Sequence, residues 1–392
     1  MQQGLRFLVL YLAAYKLGPA LFGTINIILL YNSYLLNANL GAVNGLKRQI
    51  PIKYKLIGGT DAEKASFNIL LFNTVSSIFW GTVIAVLFFL YNVLNLKDSI
   101  YLVVLCVCNG AYFYVQTLVI ANQYWNKLKL LQAGCSLVLL LSAIALWFLG
   151  KDAFLWVYAL SFLLPAIMLI LREVKIYPFD FSYIKENIKI GFPIMIAGLV
   201  FFLFQTMDRL IITKNYPKEA MGFYALATTL VAGYALITNL ASEIILQKGI
   251  AYYIKVGANT KLRAYLFKIT GAVLVCLLPI LTVAYFLFKF IIEDYFPAYT
   301  SSLPIILNLT IAFFLQQCCI GTGNYYYIVR RQLTYNIVMV TSTTIAFCLL
   351  AYPYVFNFPD NIVDISQRMI LCSVFYVILI TVPAFTEVKE IK

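Results

Sequence analysis

The chain is built from apolar runs of roughly 17–25 residues, each long enough to cross a hydrocarbon core of about 30 Å at about 1.5 Å per helical residue. The stretches from Ile69 to Tyr91 and from Leu131 to Leu149 are two of them. Of the 392 residues, 62% are hydrophobic and 11% charged, at a mean hydropathy of +0.88. No soluble fold buries that much apolar surface. In lipid every backbone group must find its partner within the structure, and continuous apolar runs do this as helices. The expected fold class is therefore all-α, a polytopic transmembrane helical bundle in the lipid bilayer. The spans read as about 12, at 5–17, 21–43, 69–91, 100–122, 131–149, 154–171, 191–212, 222–246, 265–290, 302–322, 334–354 and 369–385. The first is short or truncated for a full crossing, and a cleavable signal peptide is not expected.

The net charge is +13, yet the positive residues sit between the spans and form no continuous face, so no nucleic-acid partner is implied. With the N-terminus cytoplasmic, 20 Lys and Arg fall in connections or adjoining span ends on that side and 6 on the other. Short loops with such an asymmetry orient a bundle, so both termini are expected in the cytoplasm. The longest polar connections, 44–68, 172–190 and 247–264, all lie on the basic side and suit anionic lipid. None is large enough for an extramembrane catalytic domain. The absence of histidine removes His-based acid–base chemistry and His metal sites. The eight cysteines (Cys106, Cys108, Cys135, Cys276, Cys318, Cys319, Cys348 and Cys372) lie in apolar runs without metal-ligand spacing. They are expected to be small buried residues. No catalytic residue, metal or cofactor is expected.

The polar residues inside spans carry the functional reading. Asn26, Ser33, Asn37, Gly41 and Asn44 recur at helical spacing in the second span, which also holds Asn32 and Asn39. An amide without a partner in hydrocarbon costs several kcal/mol, so this face either packs against other helices or lines a wet cavity. Asn109, Gln116 and Gln123 repeat the device at heptad steps in the fourth span. Asp208 and Arg209 are adjacent and point about 100° apart, so each needs its own partner. Arg209 either snorkels to the nearby outer end or faces a cavity. Arg6, Arg209 and Lys289 are cations within spans that could face a cavity; Asp208 and Glu243 are the carboxylates that could pair or exchange a proton. Pro165 and Pro279 are expected to kink their spans, and Tyr325, Tyr326 and Tyr327 to mark the aromatic belt.

Ala20-Leu21-Phe22-Gly23, after Lys16 and Gly18-Pro19, is echoed by Glu219-Ala220-Met221-Gly222, after Lys214 and Pro217. The second copy lies 199 residues downstream, again after one span of its half. Two halves, 1–185 and 186–392, would each hold six spans and insert with the same orientation, as in transporters built from parallel repeats.

The stretches Lys16-Leu17-Gly18-Pro19-Ala20-Leu21-Phe22-Gly23, Leu40-Gly41-Ala42-Val43-Asn44-Gly45, Gly191-Phe192-Pro193, Asp208-Arg209-Leu210-Ile211-Ile212 and Ala220-Met221-Gly222-Phe223-Tyr224-Ala225 carry a resemblance. They resemble the lipid-linked oligosaccharide (Wzx-type, O-antigen) flippases, in the polysaccharide-transport branch of the multidrug/oligosaccharidyl-lipid/polysaccharide exporter superfamily. The resemblance implies a transporter of the bacterial cytoplasmic membrane, not an enzyme. Its implied partners are an undecaprenyl-diphosphate-linked oligosaccharide and other membrane proteins of polysaccharide assembly. On this reading Arg6, Asn26, Ser33, Asn37, Asn44, Asn109, Gln116, Arg209 and Lys289 are candidates for the substrate cavity, and Asp208 and Glu243 for ion coupling. A cation-coupled drug antiporter of the same superfamily would be expected to hold more acidic residues in its spans. An O-antigen polymerase would need a large outer loop with arginines, and the outer connections hold only Arg368.

Overall fold

The computed structural model describes residues 2–51, 59–256, 258–329, 331–355 and 361–386. Every regular element among them is helical, and eleven helical stretches, one of them Pro297–Ile328, are long and apolar enough to cross a membrane. The outer faces are as greasy as the interior: Leu171 is 80% exposed and Phe148 78%. Helices apolar all round need lipid as their solvent, and this is a multi-pass membrane protein.

Helix α1 (Gln2–Leu35) runs through the first two expected spans. Its backbone leaves the helical region at Gly18 (φ 74°, ψ 174°), next to Pro19. Glycine tolerates that φ, and proline, lacking an N–H, starts the following segment well. The expected spans 5–17 and 21–43 are thus two helical segments joined through one residue. The second segment also ends earlier than expected, at Leu35. There the Asn39 side chain donates to the Leu36 carbonyl and accepts from the Gly41 N–H at 3.0 Å. Such local bonds compete with the helix, and positive φ at Leu40 (51°) and Gly41 (81°) completes the turn before α2 (Ala42–Gln49).

The remaining helices follow in order: α3 (Gly59–Leu90), α4 (Leu96–Ala121), α5 (Trp125–Leu149), α6 (Lys151–Glu173), α7 (Phe181–Asn215), α8 (Lys218–Val256), α9 (Asn259–Tyr295), α10 (Leu303–Gln317), α11 (Ile320–Ile328), α12 (Gln332–Val355) and α13 (Ile362–Thr386). Contacts divide the chain into two compact units, Met1–Leu199 and Val200–Lys392, with α7 contributing to both.

In the first unit α5 packs along α6, α3 along α4, and α1 against α5. Its polar groups are paired between helices: Asn39 Nδ2 donates to Asn73 Oδ1 at 3.0 Å, and Asn73 Nδ2 to the Gly110 carbonyl at 3.1 Å. Where α4 and α6 begin, two Lys-Asp dipeptides pair reciprocally. Lys151 Nζ lies 2.6 Å from the buried Asp98, and Lys97 pairs with Asp152. The α2 backbone touches that of α7: a Cβ on Gly45 would lie 2.0 Å from the Asn187 carbonyl oxygen, and one on Gly191 1.9 Å from that of Gly41.

In the second unit α10 packs along α13, α12 against α13, and α8 against α9, α10 and α11. The expected span 302–322 is not one helix. It breaks at Cys318 and Cys319, whose N–H groups reach back only three residues, to Leu315 and Gln316. Tyr325 and Tyr326 are buried, Tyr326 donating to the Ile380 carbonyl at 3.1 Å. Only Tyr327 is exposed, so the aromatic belt does not describe this triplet. Cys276 and Cys348 are exposed on the apolar surface, contrary to expectation, whereas Cys106, Cys108, Cys135, Cys319 and Cys372 are buried.

Candidate functional site: an amide and aromatic cavity in the second unit

One face of α7 carries Phe201, Phe204, Gln205, Asp208 and Arg209. One face of α8 carries Thr228, Val231, Ala235, Thr238, Asn239 and Ser242, at three- and four-residue steps. These faces border a cavity of about 510 Å³. The broken span closes it with Phe313, Gln316, Gln317, Gly323, Asn324 and Tyr327, and Tyr335 and Tyr376 complete the wall. Irregular backbone at membrane depth is tolerated where it borders such a space, which gives the break between α10 and α11 its physical sense.

Asp208 and Arg209 are the charged residues of this wall. They do not pair side chain to side chain. Asp208 is 2% exposed and takes the Tyr224 O–H at 2.6 Å on one oxygen and the Arg209 backbone N–H at 2.7 Å on the other. The Arg209 guanidinium turns back along α7, donating Nη2 to the Gln205 carbonyl at 3.3 Å, and its buried Nε has no hydrogen-bond partner among the described residues. Helical side chains lean toward the N-terminus, so this arginine points away from the nearer end of its helix. That direction is opposite to snorkelling, and it leaves donors of a planar fork facing the cavity.

The amides are partly engaged. Gln316 Nε2 donates to Ser373 Oγ at 3.1 Å, and Asn324 Nδ2 to Ser242 at 3.3 Å. Gln205 and Asn239 are exposed. The wall therefore offers amide donors and acceptors, hydroxyls, aromatic rings, one arginine and one carboxylate. Such a wall can hydrogen-bond hydroxyl groups, pack flat faces against its rings and offer one cation to an anion.

Of the residues expected from sequence, Asp208 and Arg209 lie in this cavity. Glu243 is exposed beyond its edge. Lys289 is exposed and faces Glu293 one turn on at 3.9 Å. The others belong to the first unit. Arg6 Nε donates to Tyr158 Oη at 2.5 Å, with its guanidinium 5.3 Å from the Phe162 ring centre. Asn26 and Ser33 donate to carbonyls of their own helix, Phe22 and Leu29, each at 2.9 Å. Asn37 and Asn44 fall beyond the end of α1, so the five-residue face running to Asn44 is corrected to Asn26 and Ser33 alone. Asn109 is buried and Gln116 half-buried on α4, while Gln123 lies past its end with φ 61°. The heptad face therefore stops at Gln116.

Sequence reasoning missed Gln205, Asn239, Gln316, Gln317 and Asn324. The signal was present: two adjacent glutamines inside an apolar run, and an amide one turn before Arg209.

The sequence pattern of the family described as "Polysaccharide biosynthesis protein" matches residues 17–297. The chain belongs to that family. No curated protein matches it significantly. Among solved structures, a multidrug resistance MATE family transporter of the MOP superfamily in an inward-facing conformation matches with a TM-score of 0.73 at 12% identity, over 97% of this chain and 93% of that one. The lipid II flippase MurJ, inward closed, matches with a TM-score of 0.73 at 13% identity, over 98% and 86%. A MOP superfamily transporter from Pyrococcus furiosus matches with a TM-score of 0.63 at 13% identity, over 97% and 91%. At such identities the likeness shows the fold: this member of the polysaccharide biosynthesis family has the architecture of MOP transporters and flippases.

Proposed function

We propose that this chain is a flippase that carries an undecaprenyl-diphosphate-linked oligosaccharide, the repeat unit of an O-antigen or other surface polysaccharide, across the cytoplasmic membrane by alternating access. One observation carries the reading: a cavity of about 510 Å³ whose wall combines amides, hydroxyls and aromatic rings with one arginine. That size lies within the roughly 300–1,000 Å³ of ligand pockets. It suits a short glycan rather than a long lipid tail. The family membership and the flippase-like fold support the same reading. Arg209 is the cation offered to the headgroup. Each half would contribute six spans, both termini facing the cytoplasm.

A second reading, cation-coupled antiport of small molecules, is favoured by Asp208. It is the one carboxylate in the cavity wall, and binding a proton there would disturb the Tyr224 hydrogen bond. A polymerase is the least supported of the three.

The readings separate in a deletion strain. Loss of a flippase traps unpolymerised lipid-linked units on the cytoplasmic leaflet, and complementation releases them. Single units displayed outside would mean a polymerase. Unchanged glycan with raised drug sensitivity would mean an antiporter.

A further inference from the structure

The strongest unpaired charge in the second unit lies outside the cavity, at the elbow where α8 turns into α9. No acidic residue occurs from Ile244 to Ile292. Within that interval Lys248, Lys255, Lys261 and Lys268 are all exposed, and among the described residues none has an ion-pair or hydrogen-bond partner. Arg263, the fifth cation of the elbow, is tied down, donating Nη1 to the Ala384 carbonyl at 2.7 Å.

Contacts on either side of the turn hold α8 against α9. Tyr252 and Tyr265 stack face to face, ring centres 4.3 Å apart and planes 6° apart. Leu262 and Leu266 are buried, and Gly249 lets α8 approach so closely that a Cβ there would lie 2.7 Å from Ile328. In an antiparallel pair the tyrosine stack sets the register. Lys248 and Lys268 then form a lower tier, with Lys255 and Lys261 about 10 Å further out at the tip.

The position relative to the cavity gives this cluster its meaning. The cavity face of α8 ends at Ser242, six residues or about 9 Å along the helix from Lys248. The lower tier thus stands within about one Debye length, roughly 10 Å at 0.1 M salt, of the cavity edge. The cavity wall holds one cation and one anion, whereas the elbow holds four ammonium groups that no carboxylate among the described residues opposes. A multiply charged headgroup is attracted to the elbow first and meets a nearly balanced interior next.

We propose that the α8–α9 elbow is a loading site that captures the diphosphate of the lipid-linked substrate before its glycan enters the cavity. This inference rests on the flippase reading and on loading from the basic side. Ammonium groups grip phosphate oxygens as point charges without a fixed fork, so the grip is strong in sum and exchangeable. A diphosphate engages both tiers; a phospholipid with one charge engages one lysine at a time.

The test uses the full chain in phosphatidylcholine nanodiscs and a labelled short-chain polyprenyl diphosphate. The variant K248Q/K255Q/K261Q/K268Q should lose about tenfold or more in affinity and most of the salt dependence, while eluting and melting like the parent. Short-chain phosphatidylglycerol should compete weakly. Equal affinity in parent and variant overturns the loading site, as does equal competition by phosphatidylglycerol, which would make the elbow a general anionic-lipid collar. In either case flipping by the parent leaves the flippase reading standing. A parent that neither binds the diphosphate nor flips the lipid-linked unit removes the flippase reading itself.

Discussion

Replacing Gly45 with alanine should destabilise the first unit by about 2 kcal/mol, against the direction that helix propensity alone dictates. Gly45 sits in α2, and alanine is the better helix former by about 1 kcal/mol. Its new Cβ, however, would lie 2.0 Å from the Asn187 carbonyl oxygen, where ordinary contact starts at 3.4 Å. The obstacle is backbone, so no rotamer change relieves it, and α2 and α7 must part by about 1.4 Å. Overpacking of this kind costs about 1–3 kcal/mol, and here the upper end applies. Gly198 on α7 and Gly271 on α9 provide the control, because a Cβ at either meets nothing within 4 Å. Alanine at those positions should stabilise by about 0.5–1 kcal/mol. The assay is thermal unfolding of purified protein in detergent, read as the fraction that survives gel filtration after heating. If Gly45→Ala melts with Gly198→Ala, the backbone contact between α2 and α7 is refuted.

Arg209→Lys should lower transport at normal membrane abundance, and Arg209→Ala more so, because lysine keeps the charge but loses the fork turned toward Gln205 and the cavity; normal glycan display in the lysine strain would mean an interfacial anchor. Lys151→Met should destabilise by about 3–5 kcal/mol, since it leaves the buried Asp98 carboxylate uncompensated. Adding Asp98→Asn should recover part of that loss in the same melting assay; no recovery would show that Lys151 acts through packing.

Much of the fold was legible because a bilayer imposes a simple rule. Length and hydropathy located ten of the spans near their observed helices, and the turn at Gly18-Pro19 was placed by its residue types. The errors came where side chains override that rule. Asn39 bonds to the Leu36 carbonyl and Gly41 N–H and ends a helix that hydropathy alone would have continued to residue 43. Tyr325 and Tyr326, whose composition suggested the water boundary, are packed inside.

The candidate site was less legible. Asp208 and Arg209 stood out as charges inside a span, which is costly enough in lipid to be informative by itself. The amides around them did not, because an Asn or Gln in a span satisfied by its own helix looks the same in sequence as one facing a cavity. Asn26 and Gln205 illustrate the two cases.

The sequence by itself determined that the chain lives in a membrane as helices, because apolar length and backbone satisfaction admit nothing else. It also marked which residues carry costly charge. Only the tertiary structure decided which faces meet. It turned Arg209 inward and closed Arg6 against Tyr158. It set Gln316 and Asn324 opposite Arg209's helix, and it stacked Tyr252 on Tyr265 so that four distant lysines share one elbow. Those outcomes depend on contacts between helices far apart in the chain, and periodicity along a single helix carries no information about its partner.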